Sequence, residues 1–174
     1  MIHKSINCDE YDNKIFLNVT CKLKVTKEVP TGLIYFGFFT KLVEKPFLRF
    51  TMFYRYTMGF RPYLFDIKID LCQWINKTHE AMSNPAFERI FNGFLKSIPN
   101  LFVKCPFEGH YQSEWVDANN SFSPFLPPVV AAGRYKTIYH VYSSESPKIL
   151  KGVTQFDIKP RKEFRVVGSI RSDP

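Results

Sequence analysis

The stretch that decides the fold is residues 48–71, LRFTMFYRYTMGFRPYLFDIKIDL, in which two alternating runs flank Met58-Gly59. A period of two is typical of a strand that buries one face. The predicted inward set of the first run is Leu48, Phe50, Met52, Tyr54 and Tyr56. That of the second run is Tyr63, Phe65, Ile67, Ile69 and Leu71. Because short turns separate these runs from each other and from a preceding run at 33–43, the three predict antiparallel strands paired as a meander.

Further strands are predicted on both sides of this stretch. Residues 15–25 alternate, with an inward set of Ile15, Leu17, Val19, Cys21, Leu23 and Val25. Residues 33–43 are apolar on both faces, which predicts a central strand covered on both sides. Residues 109–116, 133–143 and 148–158 predict three more strands. The chain is therefore expected to be mainly β and antiparallel.

A helical insertion is predicted at about residues 73–98, because the alternation stops after Cys72. Its first part carries Trp74 and Ile75, and Asn84-Pro85 interrupts it before a second helix. The second helix has an apolar stripe at helical spacing, made of Phe87, Ile90, Phe91, Phe94, Leu95 and Ile98. The stripe either packs on a sheet or forms a movable lid over a cavity, and these two interpretations are compatible.

Composition indicates one domain, residues 1–174, with a core of about 5–160 and a basic tail of about 161–174. The chain contains 18 Phe, 9 Tyr and 2 Trp, which must fill a core, line a cavity or cover a surface. The net charge of +8 comes from scattered Lys and Arg, which predicts a solvated surface with a weak preference for anionic head groups. No apolar stretch is long enough for a transmembrane segment.

Cysteines and glycosylation sequons point to secretion. The four cysteines, Cys8, Cys21, Cys72 and Cys105, allow three disulfide pairings or four free thiols. Sequons begin at Asn18, Asn76 and Asn119, and three sequons with an even cysteine count favour an extracellular protein. Residues 1–5 lack the apolar stretch of a signal peptide, so a processed or partial form is expected.

Catalytic chemistry is not evident in the sequence. It has no glycine-rich phosphate loop and no Gly-x-Ser-x-Gly motif. His3, His79, His110 and His140 stand apart, so each is predicted to be exposed or hydrogen-bonded. Asp66 and Asp70, with Lys68 between them, are predicted to form a solvated strand face. We therefore expect no catalytic residue, no metal site and no cofactor.

Several short motifs, in this order and spacing, resemble an insect family of secreted proteins of unknown function that includes the CheB chemosensory proteins. The motifs are Asn7-Cys8, Asn18–Leu23, Phe60–Cys72, Lys104–Tyr111, Leu126–Pro128 and Gly133–Tyr135. That family is distantly similar to the ML lipid-recognition domains and the ganglioside activators. The resemblance implies an antiparallel β-sandwich or β-cup with an apolar cavity, and a role in binding a lipid or pheromone in chemosensory or reproductive tissue.

The sequence is compatible with two functions. The first is a secreted, non-catalytic binding protein for a hydrophobic molecule. Its predicted ligand-binding residues are Phe36, Phe38, Phe50, Met52, Tyr54, Phe65, Ile67, Phe91 and Phe94, with Trp74, Trp115 and Phe125 at the mouth. The alternative is an extracellular receptor-binding or adaptor protein with a filled core that acts through loops such as 117–132. Secretion and dispersed charge argue against nucleic acid as a partner. We expect disulfides Cys8–Cys21 and Cys72–Cys105.

Overall fold

The fold is an antiparallel β-sandwich, as predicted. The computed structural model describes residues 1–75, 105–117, 130–146 and 149–159. The strands are β1 (Ile2–Tyr11), β2 (Phe16–Lys24), β3 (Leu33–Val43), β4 (Phe47–Tyr56), β5 (Gly59–Asp70), β6 (Phe107–Gln112), β7 (Val116–Asp117), β8 (Gly133–Tyr142) and β9 (Leu150–Ile158). The larger sheet has the order β1-β9-β8-β4-β5, and the smaller has the order β2-β3-β6, with β7 also paired to β3.

A short helix, α1 (Leu71–Ile75), follows β5 where the helical insertion was predicted. Asp70 caps it, because its Oδ1 accepts hydrogen bonds from the backbone N–H groups of Cys72 and Gln73, both at 3.0 Å. The rest of the predicted insertion, the loop at 118–129 and the tail after 160 lie outside the described residues. In the part of the chain that is described, no helix has the length and apolar character needed to cross a membrane.

The predicted meander is correct for the pairing of β4 with β5 and wrong for the pairing of β3 with β4. β4 and β5 pair as predicted, but β3 belongs to the smaller sheet, and the other neighbour of β4 is β8. Alternation identifies the buried face of a strand and not the sheet to which the strand belongs. Crossing from one sheet to the other between β3 and β4 lets the apolar faces of both strands point into one core.

The inward face of β2 was predicted wrongly at its start. Phe16 is buried, whereas Leu17 is 37% exposed. The cause is a bulge: the pairing with β3 shifts between Leu17 and Thr20, and Asn18 has a φ of 53°. An extra residue in a strand reverses the faces of the residues on one side of it. Beyond the bulge, Val19 and Leu23 pack against the core as predicted.

Burial was also predicted wrongly at three further places: the outer face of β3, the residue after β2 and the end of β4. β3 is central in its sheet, but Phe39 and Leu42 are 37% and 52% exposed, so the described residues do not cover its outer face at this end. Val25 and Tyr56, both predicted to be inward, are also exposed because they lie just beyond β2 and at the end of β4. The apolar run at 33–43 therefore combines a core face with an exposed apolar face.

Both expected disulfides are confirmed, and each connects the two sheets. Cys8 in β1 is bonded to Cys21 in β2, with 5.9 Å between the Cα atoms. Cys72 in α1 is bonded to Cys105, two residues before β6, with 5.5 Å between the Cα atoms. Since β1 and β5 are the edges of the larger sheet and β2 and β6 those of the smaller, the sandwich is cross-linked along both edges.

Candidate functional site

A row of five rings crosses the inner face of the larger sheet. We call this set the aromatic row: Tyr63, Tyr54, Tyr135, Phe156 and His3, on β5, β4, β8, β9 and β1 respectively. The centroids of successive rings are 5.5, 5.1, 5.6 and 5.7 Å apart. The register explains the alignment, because Tyr54 pairs with Tyr135, Tyr135 with Phe156, and Phe156 with His3. The row forms a continuous wall of rings across the sheet.

Two hydroxyls of the aromatic row hold the backbone that leads into β8. Tyr54 Oη donates to the carbonyl of Ala132 at 3.1 Å, and Tyr135 Oη donates to that of Ala131 at 2.6 Å. Burial raises the pKa of Tyr135 well above its usual value, and the nearby Tyr63 and Tyr54 raise it further. Tyr135 is therefore a neutral hydrogen-bond donor.

Next to the aromatic row, the inner face of the larger sheet carries smaller and more polar side chains. Met52, Thr137 and Thr154 are consecutive across β4, β8 and β9. Thr137 Oγ1 donates to Tyr139 Oη at 3.0 Å. Burial raises the pKa of Tyr139, and the nearby hydroxyls of Thr137 and Thr154 oppose this rise. Thr154 Oγ1 itself forms no hydrogen bond with the described residues. The inner wall thus combines rings with a few hydroxyls.

The inner face of the smaller sheet has its own aromatic layer. Phe16, Phe38, Tyr111 and Phe107 follow one another across β2, β3 and β6. Their successive ring centroids are 5.1, 5.4 and 5.8 Å apart. Within each sheet, neighbouring inner-face rings contact one another along the row. Two aromatic layers therefore face each other across the sandwich.

Most of the described ligand-binding candidates lie in or against this interior. Phe38, Met52 and Phe65 are buried in the core. Five others are partly buried against it: Phe36, Phe50, Tyr54, Ile67 and Trp74. Phe91, Phe94 and Phe125 lie outside the described residues.

Trp115 lies apart from the interior candidates. It is 45% exposed, and its ring contacts Tyr35 at 5.6 Å, with Lys24 Nζ 6.0 Å from its centroid. Tyr35 pairs with Lys22, which is exposed on the outer face of β2. Trp115 is therefore not brought together with the other candidates.

Sequence reasoning missed several residues of the inner face, above all His3, Tyr135 and Phe156. The alternation of Tyr135, Thr137, Tyr139 and Val141 in the predicted strand 133–143 is a signal that could have assigned β8 its inward face. For His3, the prediction of an exposed or hydrogen-bonded side chain is wrong. Its side chain is 5% exposed, and neither Nδ1 nor Nε2 has a hydrogen-bond partner among the described residues. The sequence analysis gave no bounds and no inward face for a strand before residue 15, so it did not predict this burial.

The outer face of the larger sheet is charged, as predicted for Asp66 and Lys68. Arg49 binds Asp66 through two hydrogen bonds of 2.8 and 2.7 Å, which lower the pKa of that carboxyl. Lys68 Nζ lies 4.7 Å from the ring centroid of Phe47. Within the described ranges, no three His, Cys, Asp or Glu side chains are grouped as metal ligands. These contacts are those of a solvated face.

An open groove of about 560 Å³ lies at one end of the larger sheet. Its lining is Glu10, Tyr11, Asp12, Ile138, His140, Leu150 and Lys151. The ion pair between Lys151 Nζ and Glu10 Oε1 occupies one side of it. The groove contains none of the predicted ligand-binding residues.

Comparisons with known proteins give a family and a similarity to solved structures. Residues 48–137, slightly more than half of the chain, match the family described as "Protein of unknown function (DUF1091)". No curated protein sequence matches the chain. The chain is also similar to the crystal structure of a Niemann-Pick type C2 protein from the Japanese carpenter ant, at 10% identity, over 90% of this chain and 91% of that one. The TM-score of 0.33 is too low to establish a shared fold.

Proposed function

The chain belongs to DUF1091, a family of unknown function, and from this premise we propose that it is a secreted, non-catalytic binding protein for a hydrophobic ligand. The ligand class is a lipid or a pheromone-like molecule, held between the two sheets. The kinship with CheB chemosensory proteins and a role in chemosensory or reproductive tissue belong to the same proposal and rest on the sequence motifs.

The observation that carries the proposal is the pair of facing aromatic layers. Neighbouring rings of each layer contact one another along the sheet, so each sheet presents a largely aromatic surface to the interior. A ligand between the walls would gain about 25 cal/mol per Å² of buried apolar surface before the costs of binding are subtracted. Cross-links along both edges support the proposal, because they limit how far the sheets can move apart.

An extracellular location is supported by the disulfides and by one sequon. Disulfides persist in oxidising compartments, and all four cysteines are paired. Asn18 lies on the exposed bulge of β2, where a glycan would not meet the core. The other two sequons lie outside the described residues.

The alternative function, binding to a receptor through the surface, is favoured by one observation. Leu17 and Phe39 pair across the outer face of the smaller sheet, and Leu42 follows on the same sheet. Exposed apolar side chains grouped in this way mark interaction sites more often than isolated ones do. We call Leu17, Phe39 and Leu42 the outer apolar patch.

The test is native mass spectrometry of protein secreted from insect cells, combined with displacement of an apolar fluorescent probe. A co-purifying lipid mass and displaceable probe are expected. Thr154→Phe places a ring on the inner wall of β9 and should reduce probe binding about tenfold or more. Val153→Phe adds the same ring on the opposite face of β9 and serves as the matched control. A ligand-free protein that binds no probe would contradict the proposal and favour the surface alternative.

A further inference from the structure

His3 occupies the end of the aromatic row, on the inner face of edge strand β1. It pairs in register with Phe156, and the two ring centroids are 5.7 Å apart. Its backbone N–H donates to the carbonyl of Thr31 at 2.8 Å. Its Cβ lies beside Gly32, where an added Cβ would come within 3.4 Å of it. The imidazole is therefore enclosed between β1, β9 and the turn that leads into β3.

Both imidazole nitrogens of His3 are buried, and no group in the described part of the chain forms a hydrogen bond with them. A neutral imidazole has one donor and one acceptor, and each buried polar group left unpaired costs about 1–3 kcal/mol. Nearly all buried polar groups in folded proteins have a partner, so an exception needs an explanation. The imidazole is thus a hydrogen-bonding site that the described protein groups do not fill.

The surroundings of His3 define the kind of group that would fill this site. On one side lie the rings of Phe156 and Tyr135, stacked at 5.6 Å with 11° between their planes. The charged groups that act on His3 are the amine of Met1 and the carboxylate of Asp117. Because burial disfavours a charged imidazole and Asp117 disfavours a second anion, a neutral partner fits better than a carboxylate or a phosphate.

We infer that His3 binds the polar head of the ligand, and that this head is an uncharged hydroxyl on an otherwise hydrocarbon molecule. Depending on which nitrogen it meets, a hydroxyl can donate to the bare nitrogen of the imidazole or accept from the protonated one. The hydrocarbon part then lies along the aromatic row. This inference rests on the proposed function, since it assigns the orientation and the class of ligand within the same interior.

The test compares three ligands of equal chain length: hexadecan-1-ol, 1-methoxyhexadecane and hexadecane. Each ligand is assayed for its ability to displace the bound fluorescent probe N-phenyl-1-naphthylamine from the wild type, His3→Phe and His3→Gln. The wild type should prefer the alcohol over the alkane about tenfold, with the ether in between because it can only accept. His3→Phe keeps a ring against Phe156 and should abolish the preference, while His3→Gln, with an amide donor and acceptor, should retain part of it.

His110→Phe is the matched control, because His110 is exposed on the smaller sheet and should leave the preference unchanged. If wild type and His3→Phe bind all three ligands equally, this inference is overturned and the proposed function stands. If no ligand displaces the probe, both fail. Should His3→Phe not fold, the His3 ¹H–¹⁵N signals of the wild type decide: hexadecan-1-ol must shift them and hexadecane must not, and equal shifts overturn the inference.

Discussion

The burial of His3 makes the free energy of unfolding depend on pH. The pKa of His3 is lowered to about 4, mainly by burial and also by the N-terminal amine, while Asp117 opposes both effects. The unfolded chain takes up this proton near pH 6.5, so the His3 contribution is complete above that pH and is lost as the pH falls from 6.5 towards 4. The free energy of unfolding should fall by about 2–3 kcal/mol between pH 7 and pH 4.5.

Urea unfolding at several pH values measures this dependence. His3→Phe should remove most of it, and His110→Phe should not. Asp66 and Asp157 do not interfere, because their pKa values are lowered by Arg49 and Arg134 and their contributions are lost only at a lower pH. An unchanged pH profile in His3→Phe would show that the imidazole is not responsible.

Gly133 is a second position where one residue decides the local packing. Its φ is 149°, and an added Cβ would lie 2.6 Å from Tyr54 Cε2 and Oη. Gly133→Ala should therefore displace Tyr54 from the aromatic row and destabilise the fold by about 1–3 kcal/mol. Gly59→Ala is the control: its φ is 116°, but no atom lies within 4 Å, so only backbone strain applies. Equal losses in thermal unfolding for the two variants would contradict this account.

At the scale of strands, alternation was sufficient where a strand is regular and failed where it is not. In the regular part of β5 that follows Leu64, whose φ is 65°, Phe65, Ile69 and the neighbouring Leu71 are buried as the sequence predicts. The bulge at Asn18 reverses the faces of β2, and a bulge has no signal in hydrophobic periodicity. The sequence also could not predict which distant strands pair. The aromatic row depends on the pairing of β1 with β9, which are far apart in sequence.

Mutation of the outer apolar patch in β3 alone distinguishes ligand binding between the sheets from receptor binding at the surface. Phe39→Lys with Leu42→Lys leaves the inner face of β3 unchanged, because both side chains are exposed. Probe binding should stay within about twofold of wild type, since the interior walls are intact. The measurement is the same displacement assay, supported by circular dichroism to verify folding. Loss of probe binding in this variant would place the ligand on the outer face and refute an interior site.

For the whole molecule, the two disulfides act on different edges of one sandwich. Cys8–Cys21 closes the β1–β2 edge over a separation of 13 residues, and Cys72–Cys105 spans 33 residues at the β5–β6 edge. Loop closure predicts stabilisations of about 3 and 4 kcal/mol, a difference too small to distinguish the bonds by stability alone. Their positions relative to the aromatic row differ more, because His3 and Cys8 share β1.

Cys8→Ser with Cys21→Ser should therefore weaken the preference for hexadecan-1-ol more than Cys72→Ser with Cys105→Ser does. Freeing β1 from β2 lets His3 move relative to the smaller sheet, whereas freeing the other edge leaves β1 in place. Displacement by the alcohol and the alkane gives the preference for each double variant, and urea unfolding checks that their stabilities are comparable. A larger loss of preference in the Cys72–Cys105 variant would mean that the polar end of the ligand lies at the β5–β6 edge, away from His3.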